Sequence, residues 1–273
     1  MKKLLSLLAL LLLFYIKGFC GRVDTLEIYS PKMHKEIPTV VIIPDNYYQL
    51  DVKYPVLYLL HGYSGNELNW ITQVPKLKDY VDEFQMIVVC PDGGYDSWYF
   101  DSPMNDSVRY ESFMTKVLIA NIDSLYHTIP NRNHRAICGL SMGGHGAMYL
   151  ALRHQDLYGA VVSISGGVDI RPFPDNWGIK KQLGDIKTHP ENWEKNTVIN
   201  LVDGLKNGDL KIALDIGVSD FFLQVNRDLH KKLLKMGIDH DYKERPGGHT
   251  WDYWRNAIAY EMLFFRKFFY PKW

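Results

Sequence analysis

The chain has 273 residues, 47% hydrophobic and 23% charged, and its 31 Lys+Arg balance its 31 Asp+Glu to a formal net charge of zero. That size and balance suit one large α/β unit with a substantial core and exclude a disordered chain or a repeat fibre. They also leave no basic footprint of the kind nucleic-acid binding requires, so no nucleic-acid partner is expected.

In chain order, Lys2 and Lys3 precede an apolar run from Leu4 to Ile16 and the segment KGFCG. A positive start, a short apolar run and small residues after it make residues 1–20 an expected secretory signal peptide. Cleavage after Cys20 would put Gly18 at −3 and Cys20 at −1. The run is too short for a stable membrane span. A lipoprotein acylated at Cys20 is the alternative, opposed by Phe19 where a small residue is normally wanted. The remaining chain, 21–273, is expected to be exported, periplasmic or extracellular, and to form a single α/β domain.

VDTLEIYS (Val23–Ser30) and TVVIIP (Thr39–Pro44) read as two strands of a hairpin. YPVLYLL (Tyr54–Leu60), MIVVC (Met86–Cys90), RAIC (Arg135–Cys138), GAVVSIS (Gly159–Ser165) and KIALDIG (Lys211–Gly217) are near-continuous apolar runs, as expected of parallel strands covered on both faces. Between them, Tyr110, Phe113, Val117, Ile122 and Leu125 recur at helical spacing, as do Phe222, Val225, Leu229, Leu233 and Met236. A last strand (His240–Arg245), a Gly-Gly turn and a helix bearing Trp254, Ile258, Met262, Phe265 and Phe269 close the chain. The alternation implies a mostly parallel sheet with helices on both faces. Cys90 and Cys138 fall on strands and are expected to be unpaired small hydrophobes, since no C-x-x-C spacing supports a metal or redox role. Gly166 to Asn196 is the least regular stretch, rich in Pro, Asp, Gly and Trp, and is a candidate wall or small lid over a site.

Gly139-Leu140-Ser141-Met142-Gly143 matches G-x-S-x-G, which places a serine on a sharp turn between a strand and a helix. RAIC before it reads as a strand and GGHGAMYLALRH after it as a helix, which is the context the motif needs. A serine hydroxyl needs a base to take its proton and a third group to orient that base. In this architecture the order is serine, acid, histidine. Asp220 lies just past the Lys211–Gly217 strand, where catalytic groups collect in open α/β sheets, and His249 follows the terminal strand and its Gly-Gly turn. Asp215, inside its strand, is the competing acid, read as a structural carboxylate. His145, His154, His230 and His240 fall in expected helices or a strand and His189 in the irregular stretch, which leaves His249 as the base. The N–H groups of Met142, at the start of the helix, and of Tyr63, in the HGYSGNELNW loop, are the expected oxyanion donors. His61 is expected to pin that loop by hydrogen bonding.

The segments YPVLYLLHGYSGNELNW, VVCPDGGYDSWY, CGLSMGGHGAMYLALRH, GVSDFFLQVNRDLHKKL and PGGHTWDYW together resemble the esterase D / antigen 85 type "putative esterase" family of α/β-hydrolases, from about Asp24 to Phe269. The resemblance implies an α/β-hydrolase fold, a Ser141, Asp220 and His249 triad, an oxyanion hole of Tyr63 and Met142, and no cofactor or metal. It implies a serine ester hydrolase acting on a small-molecule or carbohydrate-linked ester, feruloyl or acetyl, and the expected signal peptide makes it a secreted one. An acyltransferase passing the acyl group to a sugar hydroxyl and an S-formylglutathione hydrolase-like thioesterase are the alternatives. Tyr95, Trp98 and Trp251 are candidate substrate-binding aromatics, and Tyr99 and Phe100 share the loop of the first two. The absence of a large insertion between Ser165 and Lys211 implies an open cleft. Sequence sets no oligomeric state.

Overall fold

The apolar runs form the centre of one mixed sheet in the computed structural model, which describes residues 21–271. The expected signal peptide and its cleavage site lie outside the described residues. β1 (Arg22–Ser30) and β2 (Lys35–Ile43) make an antiparallel hairpin, and β3 (Val56–Leu60) leads to the short helices α1 (Asn69–Gln73) and α2 (Leu77–Phe84). β4 (Ile87–Pro91) is followed by a long loop and the helical segment α3 (110–125). β5 (Arg135–Leu140) runs into α4 (Met142–Arg153), and β6 (Ala160–Ile164) into α5 (Ile179–Leu183), α6 (Pro190–Asn196) and α7 (Val198–Leu201). β7 (Lys211–Gly217) precedes α8 (Leu223–Lys235), and β8 (Asp241–Arg245) precedes α9 (Trp251–Phe269). The strand order is β1-β2-β4-β3-β5-β6-β7-β8, with β2 antiparallel to β1 and β4 and every later pairing parallel. This is the α/β-hydrolase fold expected from the sequence.

The two-sided burial has a direct reading in β3. Val56, Tyr58 and Leu60 join the core under α3, α4 and α8, while Leu57 and Leu59 join the core under α2 and α9. A strand with both faces covered has no position for a polar residue, which is why these runs show no alternation. Each such Leu or Val contributes roughly 1.5–3 kcal/mol of burial. Cys90 and Cys138 point into the α2/α9 side, are free, and burial pushes both thiols up.

Two strand boundaries and one helix type differ from the sequence pattern. β2 starts at Lys35 because the hairpin register pairs Ser30 with Lys35. β5 runs on to Leu140 because Gly139 pairs with Leu60 and Leu140 with Ile164, carrying the strand to the serine itself. The helix expected over 110–125 is π-helical at Phe113–Leu118. The stretch 166–196 is more ordered than its composition suggests: it holds α5 and α6 and buries Ile170, Ile179, Leu183 and Trp193. With both thiols packed under helices, a maleimide reagent should leave Cys90 and Cys138 unmodified in the folded chain and modify both in denaturant. Native-state labelling at either position, mapped by mass spectrometry, would contradict this packing.

Candidate active site

Ser141 sits between the end of β5 and the first residue of α4 with φ 56° and ψ −118°. A non-glycine residue in so sparsely populated a region costs on the order of 1–3 kcal/mol and persists only where its surroundings over-determine it. Here the Ser141 N–H donates to the Ile164 carbonyl at 3.0 Å, and the His145 N–H closes the first turn on the Ser141 carbonyl at 3.0 Å. The flanking glycines are steric necessities. A Cβ on Gly143 would lie 2.5 Å from the His61 carbonyl oxygen and 2.6 Å from that of Leu60, and one on Gly139 would collide with the Gly143 carbonyl. Gly62 also approaches closely, since a Cβ there would be 3.3 Å from that of Ser141.

The loops after β7 and β8 bring the other two groups to the serine. The Val218 and Ser219 N–H groups donate to the Arg245 and Gly247 carbonyls, both at 2.9 Å, and Gly217 packs directly on the Gly247 backbone. Asp220 is buried, its Oδ1 accepting from the Phe222 N–H at 2.8 Å and its Oδ2 lying 2.9 Å from His249 Nδ1. His249 Nε2 lies 2.8 Å from Ser141 Oγ. An ionised carboxylate only accepts, so Nδ1 carries the proton and Nε2 is left to accept from the serine hydroxyl. The imidazole is held edge and face by aromatic rings, with Phe221 at 4.2 Å and Trp254 at 4.9 Å between centroids. The structure thus brings together Ser141, Asp220 and His249, which are 108 and 29 residues apart across the two bonds. The N–H groups of Tyr63 and Met142 have no acceptor among the described residues, and Met142 opens α4 at the positive end of its dipole.

The serine faces a cavity of about 230 Å³ walled by Tyr63, Trp177, Phe221, Trp251 and Trp254, with Asn69 as its polar side chain beyond the array. Of the three candidate substrate-binding aromatics, Trp251 lines this cavity. Tyr95 does not line the cavity; it is 62% exposed and packs edge-on against Tyr63 at 4.9 Å, outside the wall. Trp98 is corrected outright: it is 1% exposed and lies beneath the site. Its backbone N–H meets Met142 Sδ at 3.4 Å, and its indole N–H donates to the Trp177 carbonyl at 3.0 Å. Tyr99 and Phe100 are equally buried, Tyr99 donating to the His61 carbonyl at 3.0 Å. That loop braces the His61–Tyr63 loop and α4 from below, with Trp98, Tyr99 and Phe100 buried. Trp177, Phe221 and Trp254 are wall aromatics the sequence reading did not assign to the site, and the first two stack at 5.3 Å. The signals were the Trp content of 166–196 and the position of Phe221 directly after Asp220.

The competing groups are engaged elsewhere. Asp215 is fully buried against Arg245 and Tyr253. His61 Nε2 accepts from the Gly93 N–H at 2.7 Å and its Nδ1 faces the Gly62 carbonyl at 2.7 Å, which ties the loop after β3 to the loop after β4. His145 faces the Asn196 carbonyl at 2.9 Å, and burial brings its pKa down to about 4. His154 pairs with Glu111, and His230 with His240.

Residues 30–265 match a family model described as "Putative esterase". The chain is 28% identical to an acetyl esterase of Caldicellulosiruptor saccharolyticus over 86% of its own length and 94% of the relative's. It is likewise 28% identical to the S-formylglutathione hydrolase of Bos taurus, over 70% of this chain and 78% of the other. A solved ferulic acid esterase superposes with a TM-score of 0.80 at 29% identity, covering 92% of this chain and 99% of that one.

Two outcomes follow from this geometry. Gly143→Ala should cost about 3 kcal/mol or more in urea unfolding, because the added methyl meets backbone that cannot swing away; a loss within ordinary surface scatter would show that the elbow is slack. His145 has a folded pKa of about 4 against 6.5 for a free imidazole, so its contribution is fully present above pH 6.5 and lost as pH falls through 4. It amounts to about 3 kcal/mol. His145→Gln should therefore flatten the fall in Tm between those pH values, and an unchanged slope would mean His145 charges without penalty.

Proposed function

The chain belongs to the "Putative esterase" family and is a serine carboxylic ester hydrolase, and from that premise we propose that it works through Ser141, His249 and Asp220 on acyl esters of carbohydrates. In this reading His249 Nε2 takes the hydroxyl proton as Ser141 Oγ attacks the ester carbonyl. The backbone amides of Met142 and Tyr63 donate to the oxyanion, where preorganised donors contribute most. Collapse of the tetrahedral intermediate expels the alcohol, protonated by His249, and leaves an acyl-Ser141. Water then enters, gives a proton to His249 and attacks the acyl carbon; as the second tetrahedral intermediate collapses, the bond to Ser141 Oγ breaks, His249 returns the proton to that oxygen and the acid is freed. Asp220 keeps the imidazole in the tautomer that serves both halves and stabilises the imidazolium between them.

The observation that carries this reading is the continuous hydrogen-bonded line from Asp220 Oδ2 through His249 to Ser141 Oγ, at 2.9 and 2.8 Å. The substrate class is supported by relatives named acetyl esterase and ferulic acid esterase and by a cavity with aromatic walls at Trp177, Phe221 and Trp251. Export is supported by the Lys2-Lys3 start and the Leu4 to Ile16 run.

A fluorophosphonate probe should label the wild type and leave Ser141→Ala unlabelled; an unlabelled wild type, or equal labelling of both, would overturn the assignment. Asp220→Asn should lower kcat by about 10⁴-fold, whereas Asp215→Asn should act on stability. The reverse pattern would make Asp215 the acid. Acetylated and feruloylated xylan fragments should be turned over better than S-formylglutathione, and product analysis with an added sugar acceptor separates hydrolysis from acyl transfer.

A further inference from the structure

A second, larger cavity of about 570 Å³ opens beside the C-terminal end of α4. α4 has 12 residues, so at 1.5 Å per residue this end lies roughly 17 Å from the serine. The cavity's two carboxylates are already satisfied. Glu111 Oε1 accepts from Arg153 Nε at 2.9 Å and faces His154 Nε2 at 2.8 Å, while its Oε2 accepts from the Tyr149 hydroxyl at 2.6 Å. Burial alone would raise this carboxyl, but those hydrogen bonds hold it down to about 2. Asp101 accepts from the Ser112 N–H at 2.9 Å and from its hydroxyl at 2.5 Å.

The cations are in the opposite condition. Lys32, Lys116 and Lys195 line the same cavity, and none has a carboxylate partner among the described residues; Lys32 Nζ donates only to Ser112 Oγ, at 3.0 Å. With Arg153, four cationic side chains face the two carboxylates Asp101 and Glu111 around the hollow, a local positive excess in a chain of zero formal net charge. The wall carrying Lys116 is the π-helical turn Phe113–Leu118, a distortion that recurs at functional sites. On the facing wall, α6 supplies Lys195 with Asn192 and Asn196. Each asparagine amide nitrogen donates to a carbonyl, to Leu183 at 2.9 Å and to Asn192 at 2.7 Å, and leaves its Oδ1 without a donor among the described residues. The cavity's Tyr149 ring is buried and covered by Arg153, and its His154 ring is engaged by Glu111.

We propose that this cavity binds an anionic sugar, its carboxylate or phosphate held by Lys116 and Lys195 and its hydroxyls donating to Asn192 and Asn196. The shared chemistry is a negative charge on a polyhydroxylated ring, carried by a uronate unit of an oligosaccharide or by a free sugar phosphate.

The test is calorimetric titration of the full chain with three probes: a glucuronate-bearing xylo-oligosaccharide, the neutral oligosaccharide of the same length, and glucose 6-phosphate. At least one acidic probe should bind about tenfold or more tighter than the neutral one, with the advantage shrinking as salt rises. Preference for the uronate arm names a polymer-derived ligand, and preference for the phosphate arm a free metabolite. Lys116→Gln/Lys195→Gln should abolish the advantage while hydrolysis of an aryl acetate stays unchanged, which also shows that the variant is folded. Equal binding of acidic and neutral probes, an advantage surviving in the double variant, or no saturation by any probe up to about 10 mM would overturn the proposal.

Discussion

Everything at the site hangs on one backbone conformation, Ser141 at φ 56° and ψ −118°. The sheet makes that strain tolerable. β5 is paired on both sides right up to the turn, with Leu60 opposite Gly139 and Ile164 opposite Leu140, so the chain enters the turn with no freedom left. α4 leaves it pressed against the Leu60 and His61 carbonyls, a contact that only glycine at 143 permits. The hydroxyl is therefore presented at the carboxyl edge of the sheet without any side-chain choice being involved.

The same edge organises the partners. The turns after β7 and β8 are hydrogen-bonded to each other through Ser219 and Gly247, which holds Asp220 and His249 relative to one another through contacts that do not involve Ser141. Phe221 and Trp254 then pack on the imidazole, replacing solvent around a ring whose two nitrogens are both committed. Rings packed this closely limit the orientations open to the imidazole, so the two hydrogen bonds hold it in one pose. Beneath, Trp98 and Tyr99, both at positive φ, brace Met142 and His61.

Much of this was legible in the amino-acid sequence because the physics involved is local or periodic. Strands buried on both faces leave unbroken apolar runs, and a turn too tight for Cβ atoms leaves glycines at fixed offsets from Ser141. Asp220 was separable from Asp215 because one lies past the end of its strand and the other within it, and burial of Asp215 against Arg245 and Tyr253 accords with that separation. The aromatic loop was not legible. Tyr95, Trp98, Tyr99 and Phe100 are adjacent and chemically alike, yet Tyr95 is exposed and the other three are core, a division set by two left-handed residues that no periodicity announces. Trp177 reaches the cavity only because α5 and α6 fold the 166–196 stretch back over the sheet, which is a tertiary outcome. The π-helical turn in α3 leaves the apolar spacing almost unaltered and so left no trace.

The central claim is that Ser141 and His249 act as a unit. The direct measurement is kcat/KM on one ester for Ser141→Ala, His249→Ala and the double variant. Residues that share one proton transfer lose their effect together, so each single variant should fall by several orders of magnitude and the double variant should be no worse than the lower single. Additive losses, or substantial activity in Ser141→Ala, would contradict the account.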